Sequence, residues 1–392
     1  MVLQSAAIPN QEVINSSQLR ANTMINKLLL RCLWAFLLLG SVSVTAWADY
    51  ASPGKVFTMT NSPEGNEVLM FTHHPYQGLI PSGSFATGGD GTGSGLGNQG
   101  AVMISKNGHW LFVVNAGSNS LSLFKVGADN ITLLTTVDTA GERPISVTQH
   151  RNKVFVLNAG SDSIAGFKLM HNGSLELIEN SVRGLSGTGT GAAQISFTPW
   201  GDGLLVTEKA TNLITSFSVS DDGVPGEPIV NESAGATPFG FAFDRYGHAI
   251  VSEANGGAAD ASSLSSYRVN DNGSLSVLAS AVPTTETAAC WVVMSANGRT
   301  AFTTNAGSSS ISAFKVKRNG TLKLTTEDGV AGFTGEGSAP IDMALSDNGK
   351  FLYTLSAADG SIAAFLVLGN RYLVPLPGAT GLAIGLNGLA AF

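Results

Sequence analysis

Hydrophobic residues fall along the chain in short runs of roughly four to seven, each closed by a small polar turn. Runs such as AVMIS, LFVVN and LSLFKV alternate with turns such as KNGH, HNGS, NDNGS and KRNGT, and Asn-Gly between apolar runs is a strong hairpin signal. The pattern predicts many short antiparallel strands rather than surface helices. One arrangement recurs: LFVVNAGSNSLSLFKV at 111–126, VFVLNAGSDSIAGFKL at 154–169 and AFTTNAGSSSISAFKV at 301–316, with weaker copies from Val56, Leu204, Ala249 and Phe351. Aligned on the Asn of NAG, the copies anchor at Asn61, Asn115, Asn158, Glu208, Glu253, Asn305 and Ser356, a period of about 49 residues. An aromatic follows the anchor at Phe124, Phe167, Phe217, Phe314 and Phe365, and at Tyr267 after an insertion at Gly256–Asp260. Each copy reads as four strands, so the prediction is an all-β seven-bladed β-propeller over residues 49–392. The first unit starts at Val56 on what should be its second strand, and GLAIGLNG at 381–388 offers a spare first strand. The two chain ends are therefore expected to share a blade, which removes an open sheet edge.

In such a ring the turns from first to second strand lie on one face, and here they are short. The turns after second strands, and the loops entering the next blade, lie on the other face and carry the elaboration, at 83–100, 184–194, 231–240, 283–291 and 331–342. Those loops end beside the central channel, so Gln99, Arg143, Gln194, Phe239, Trp291 and Asp342 are expected to ring its mouth. Asn115, Asn158, Glu208, Glu253 and Asn305, at the ends of second strands, are expected close by. A polar funnel of this kind is the default place for a small ligand. The competing reading of NAGS is a plain turn, with Asn bonding local backbone and Gly taking positive φ. Phosphate binding by the glycine-rich stretch at 88–97 is disfavoured, because a strand rather than a helix follows it. The histidines fall in or beside plain-face turns or in the irregular first unit, which argues against a His metal site or a Ser-His-Asp triad at the mouth.

Composition sharpens this picture. Forty-seven glycines and only 12% charged residues suit strands joined by tight turns. A net charge of −7 with no basic face excludes a nucleic-acid partner. Residues 24–48 run from Lys27 and Arg31 through a short apolar core to Ala46-Trp47-Ala48, the order of a secretory signal peptide. The run is too short for a membrane span. Residues 1–23 resemble no targeting signal, so translation is expected from Met24, with export to the periplasm or beyond after cleavage at Ala48. Cys32 leaves with the leader, so Cys290 stays alone and is expected as a buried small apolar residue. The mature protein is expected as a monomer.

The blade phrases SANGRTAFTTNAGSSSISAFKV and SDNGKFLYTLSAADGSIAAF, with TPFGFAFDRYG, VTEKATN and TAACWVV, resemble the seven-bladed lactonase family, which includes 6-phosphogluconolactonase-type and carboxymuconate-lactonising enzymes. The resemblance covers about residues 55–392 and is closest to exported bacterial members. It implies a site of Arg and His in a G-P-R-H phrase and a Glu ending the next strand. Glu208 matches that Glu, whereas Ala193 and Gln194 stand where Arg and His would, which points away from anionic phosphosugar or muconate substrates.

The readings that follow are a lactone or ester hydrolase and, as the alternative, a non-catalytic binding propeller for a small ligand or protein partner. In the first, Glu208 is the base, Glu253 its partner, and Arg143 and Gln194 stabilise the oxyanion. No cofactor is needed. A Ca²⁺ held by Glu208, Glu253 and Asp342 is the only metal their oxygen donors suggest.

Overall fold

The short runs pair into sheets because each strand is too brief to bury its apolar face alone. A computed structural model of the chain describes residues 54–74, 77–369 and 371–392, and the leader and the extension before it lie outside them. The described strands form seven sheets of four strands each, radiating from a common axis as a β-propeller. In two sheets the outermost strand is broken into two pieces, Leu175–Leu177 with Arg183–Gly184 and Leu322–Leu324 with Gly332–Phe333, so each counts five segments. The insertion after Glu253 forms a short 3-10 turn at Asn255–Gly257. No described helix is long and apolar enough to cross a membrane.

Seven innermost strands surround the axis: Asn387–Ala391, Val102–Ile104, Pro144–His150, Ala192–Phe197, Pro238–Phe243, Ala289–Met294 and Pro340–Leu345. Each contacts the next, and Pro340–Leu345 meets Asn387–Ala391 to complete the ring. Numbered from the blade both chain ends share, these are blades 1 to 7. In blade 1 the C-terminal strand pairs antiparallel with Lys55–Met59, matching Val56 with Ala391 and Phe57 with Ala390. The closing strand is thus 387–391 rather than 381–388. Gly381 and Gly385 take positive φ and turn the chain, and the apolar Leu389-Ala390-Ala391 supplies the buried face that pairing requires.

The repeated aromatics Phe124, Phe167, Phe217, Tyr267, Phe314 and Phe365 are at most 1% exposed, packed in the clusters between blades. Cys290 is a buried free thiol, and burial pushes it up to about 12.

Candidate functional site

The anchor residues end the second strand of each blade, where the chain must reverse in a few residues. The left-handed position in that reversal is not the Gly of NAG. It is the fourth residue after the anchor, at Asn119, Asp162, Asn212, Ser309 and Gly360. The Gly serves close approach instead: a Cβ on Gly117 would lie 2.1 Å from the carbonyl oxygen of Gly91, and one on Gly160 2.9 Å from that of Glu142.

The anchors themselves face inward, with Asn115, Asn158, Glu208, Glu253 and Asn305 all 0% exposed. Asn115 Nδ2 donates to Ser120 and Ser122 at 3.1 and 2.8 Å, and Asn305 Nδ2 to Ser310 and Ser312, both at 2.9 Å. Asn158 Nδ2 donates to the carbonyl of Thr139 at 3.1 Å. The Asn therefore bind mainly the hydroxyls of the next strand. Glu208 performs the same task with opposite polarity, accepting from Thr215 Oγ1 at 2.6 Å, Thr211 Oγ1 at 2.9 Å, the amide of Ser186 at 3.2 Å and the Ser186 hydroxyl. Glu253 accepts from Ser263 Oγ, and burial raises its pKa above the usual carboxylate value, with hydrogen bonding from Ser263 and its neighbours opposing. Both carboxylates are strand anchors, not groups open to a ligand.

Of the expected ring residues, Gln99, Gln194, Trp291 and Asp342 are buried, while Phe239 is half-buried and Arg143 exposed. Gln99 is 8% exposed and reaches across the axis, donating Nε2 to the carbonyl of Val292 at 3.0 Å and accepting from its amide at 3.1 Å. Its backbone amide donates to Ala193, its carbonyl accepts from Ser146 Oγ at 2.6 Å, and Trp291 Nε1 donates to the carbonyl of Asn98 at 2.5 Å. One short segment thus ties the inner strands of blades 3, 4 and 6. Gln194 bridges blades 4 and 5, donating Nε2 to the carbonyl of Phe241 at 3.0 Å and accepting from its amide at 2.6 Å. Asp342 accepts from the amides of Met343 at 2.7 Å and Leu389 at 3.0 Å, and complete burial pushes it up to about 8. Gln99, Gln194 and Asp342 therefore spend their polar groups on the inner strands, because strands this close leave backbone donors and acceptors that need partners. Among the described residues no group of three His, Cys, Asp or Glu could hold a metal ion, so Glu208, Glu253 and Asp342 do not assemble a Ca²⁺ site.

Two cations remain accessible on this face among exposed carboxylates such as Glu142 and Asp90. Arg143 is exposed at φ +50°, its amide held by Asn119 Oδ1 at 2.7 Å. Lys209, half-buried, donates Nζ to the carbonyl of Gly97 and sits 4.6 Å from the centre of the Phe239 ring, which packs on Trp291 at 5.1 Å between ring centres. Burial lowers Lys209 to about 8, the nearby thiol of Cys290 opposing and the Arg143 charge adding to it. The sequence reading missed Lys209, although a signal was present. The residue after the anchor is Ala at 116, 159, 254, 306 and 357, and Lys only at 209.

Residues 65–188 match the family model described as Lactonase, 7-bladed beta-propeller. Similar solved structures include a putative 6-phosphogluconolactonase from Bacteroides fragilis, with TM-score 0.67 and 19% identity over 88% of this chain and 99% of that one. Another from Bacteroides uniformis gives 0.69 and 17% over 87% and 99%. A periplasmic gluconolactonase from Pseudomonas aeruginosa gives 0.67 and 15% over 87% and 99%. At these identities the likeness is one of fold. No curated protein matches.

Proposed function

From the match of residues 65–188 to the seven-bladed lactonase family, we propose that this chain is an exported hydrolase of neutral lactones. The observation that carries the reading is the cluster of Lys209, Arg143 and Phe239 on the elaborated face. A lactone ring lies against the Phe239 face, and the Arg143 guanidinium donates to the carbonyl oxygen, where negative charge develops as water attacks. Lys209, lowered to about 8, is partly neutral near neutral pH and takes the proton of the attacking water. The ring C–O bond then breaks, and the same proton passes to the alkoxide, leaving a hydroxy acid whose carboxyl group releases its proton to solvent and faces Arg143 as a carboxylate. Glu208 acts one step back, holding the turn that carries Lys209. The gluconolactonase name of one structural neighbour makes an aldonolactone the first substrate to try. Export rests on the leader pattern, and protein recovered from a periplasmic fraction should begin at Asp49.

The test is hydrolysis of glucono-δ-lactone, corrected for spontaneous opening. The rate should rise through about pH 8, and Lys209→Met should lose that rise together with about a hundredfold in kcat/KM. Retention of both by Lys209→Met would overturn the mechanism.

A further inference from the structure

The opposite face carries a cleft that the loops do not explain. The turns joining first to second strand run five residues at 105–109, 198–202, 295–299 and 346–350, and four at 244–247. In blade 3 the same turn is two residues, Arg151 and Asn152. This short turn lies between the long turns of blades 2 and 4, and the space it leaves is an open cleft of about 600 Å³. Lys106, Asn107 and Trp110 of blade 2, Gln149 and Arg151 of blade 3 and Trp200 of blade 4 line it. Two of the three tryptophans beyond residue 48 therefore line one cleft. Trp200 is 63% exposed yet fixed at its far edge, where a Cβ on Gly247 would come within 2.1 Å of the ring. A single exposed aromatic is ordinary, but here Trp200 shares one cleft with a second tryptophan, two cations and two amides.

The charge here is opposite to that of the chain as a whole. Lys106 and Arg151 are exposed cations, while Lys153 Nζ is occupied by the carbonyl of Ser220 at 2.7 Å. His150 is held below its usual value by burial and then by Arg151, Lys153 and Lys106, with Asp202 opposing, so it adds no charge near neutrality. Arg151 stands at φ +56°, a conformation that glycine takes without strain, so the turn keeps an arginine where its backbone favours none.

We propose that this cleft is a second binding site, which takes an acidic saccharide: the C–H face of a pyranose stacks on Trp200, its carboxylate meets Arg151 and Lys106, and its hydroxyls meet Asn107 Nδ2 and Gln149 Oε1, since Asn107 Oδ1 already accepts from Ser105 and His109 and Gln149 Nε2 donates to the Arg151 carbonyl. Arg supplies a planar fork suited to a carboxylate, and the two amides suit hydroxyl groups better than a phosphate or a flat base. The site lies on the far face from Lys209 and stands whether or not that cluster hydrolyses lactones.

The test uses the full mature chain, with tryptophan fluorescence and calorimetry against tetragalacturonate, neutral maltotetraose and adenosine monophosphate. Tetragalacturonate should bind in the submillimolar range and quench fluorescence, whereas the neutral sugar should bind at least about tenfold more weakly. Trp200→Ala should weaken uronate binding by a similar factor at unchanged melting temperature, because the ring is mostly solvent-facing. Arg151→Gly should also weaken binding while raising the melting temperature, since glycine relieves the positive φ. The proposal fails if the uronate does not bind at millimolar concentration, if maltotetraose or the nucleotide binds as well, or if either variant binds like the parent.

Discussion

Glu208 and Glu253 interrupt a run of Asn anchors, and such an interruption in a repeat invites a catalytic reading. Their surroundings assign another role. Both sit at 0% exposure and hold the hydroxyls that Asn holds in neighbouring blades, so the substitution alters the polarity of a buried bond and exposes no base. The informative departure was one residue later, where Lys209 replaces an alanine beside the accessible Arg143. Asp342 yields a separate prediction at this scale. Its value lies near 8 in the fold against 3.8 ordinarily, so the folded chain keeps a proton that the unfolded chain releases. The stability this contributes is complete below about pH 4 and is lost as pH rises through about 8. Melting temperature should therefore fall between pH 6 and pH 9, and the fall should shrink in Asp342→Asn, leaving a remainder from Glu253, whose value is also raised. An identical fall in both proteins would mean that Asp342 does not titrate in that range.

Strand positions and hairpin turns were legible because they depend on local alternation and on turn chemistry, both written in neighbouring residues. What the loops do on reaching the axis was not legible, since Gln99 and Val292 are 193 residues apart and meet only when the ring closes. Close approach of inner strands is felt most directly at Gly240 in the TPFGFAF phrase. A Cβ there would lie 2.3 Å from Gln99 Oε1, 2.6 Å from the carbonyl oxygen of Cys290 and 2.9 Å from Trp291 Cα. Gly240→Ala should cost about 1–3 kcal/mol and lower the melting temperature by several degrees, measured by calorimetry. A neutral result would show that the axis has slack which the packing distances do not suggest.

The whole molecule depends on one pairing between chain ends. Strand 387–391 supplies the innermost strand of blade 1, packs against blades 2 and 7, and receives the bond from Asp342 through the amide of Leu389. Ending the chain after Gly385 should expose the edge of Lys55–Met59 and leave the buried Asp342 with the amide of Met343 but not that of Leu389, giving aggregation or a broad, less cooperative melt by light scattering and circular dichroism. A truncated chain that stays monomeric and melts like the parent would show that the ring needs no closure. By itself the sequence determined the repeat, the number of blades, the shared blade at the chain ends and the buried aromatics, because all of these follow from one local pattern that recurs along the chain. Tertiary structure alone decided that Gln99, Gln194 and Asp342 are buried and bonded to inner strands, that both glutamates are fully buried, that Lys209 sits against Phe239, and that Trp200 borders an open cleft. Those outcomes depend on which blades face one another across the axis and on a turn three residues shorter than most of the others on its face, and both set distances between residues that are remote along the chain.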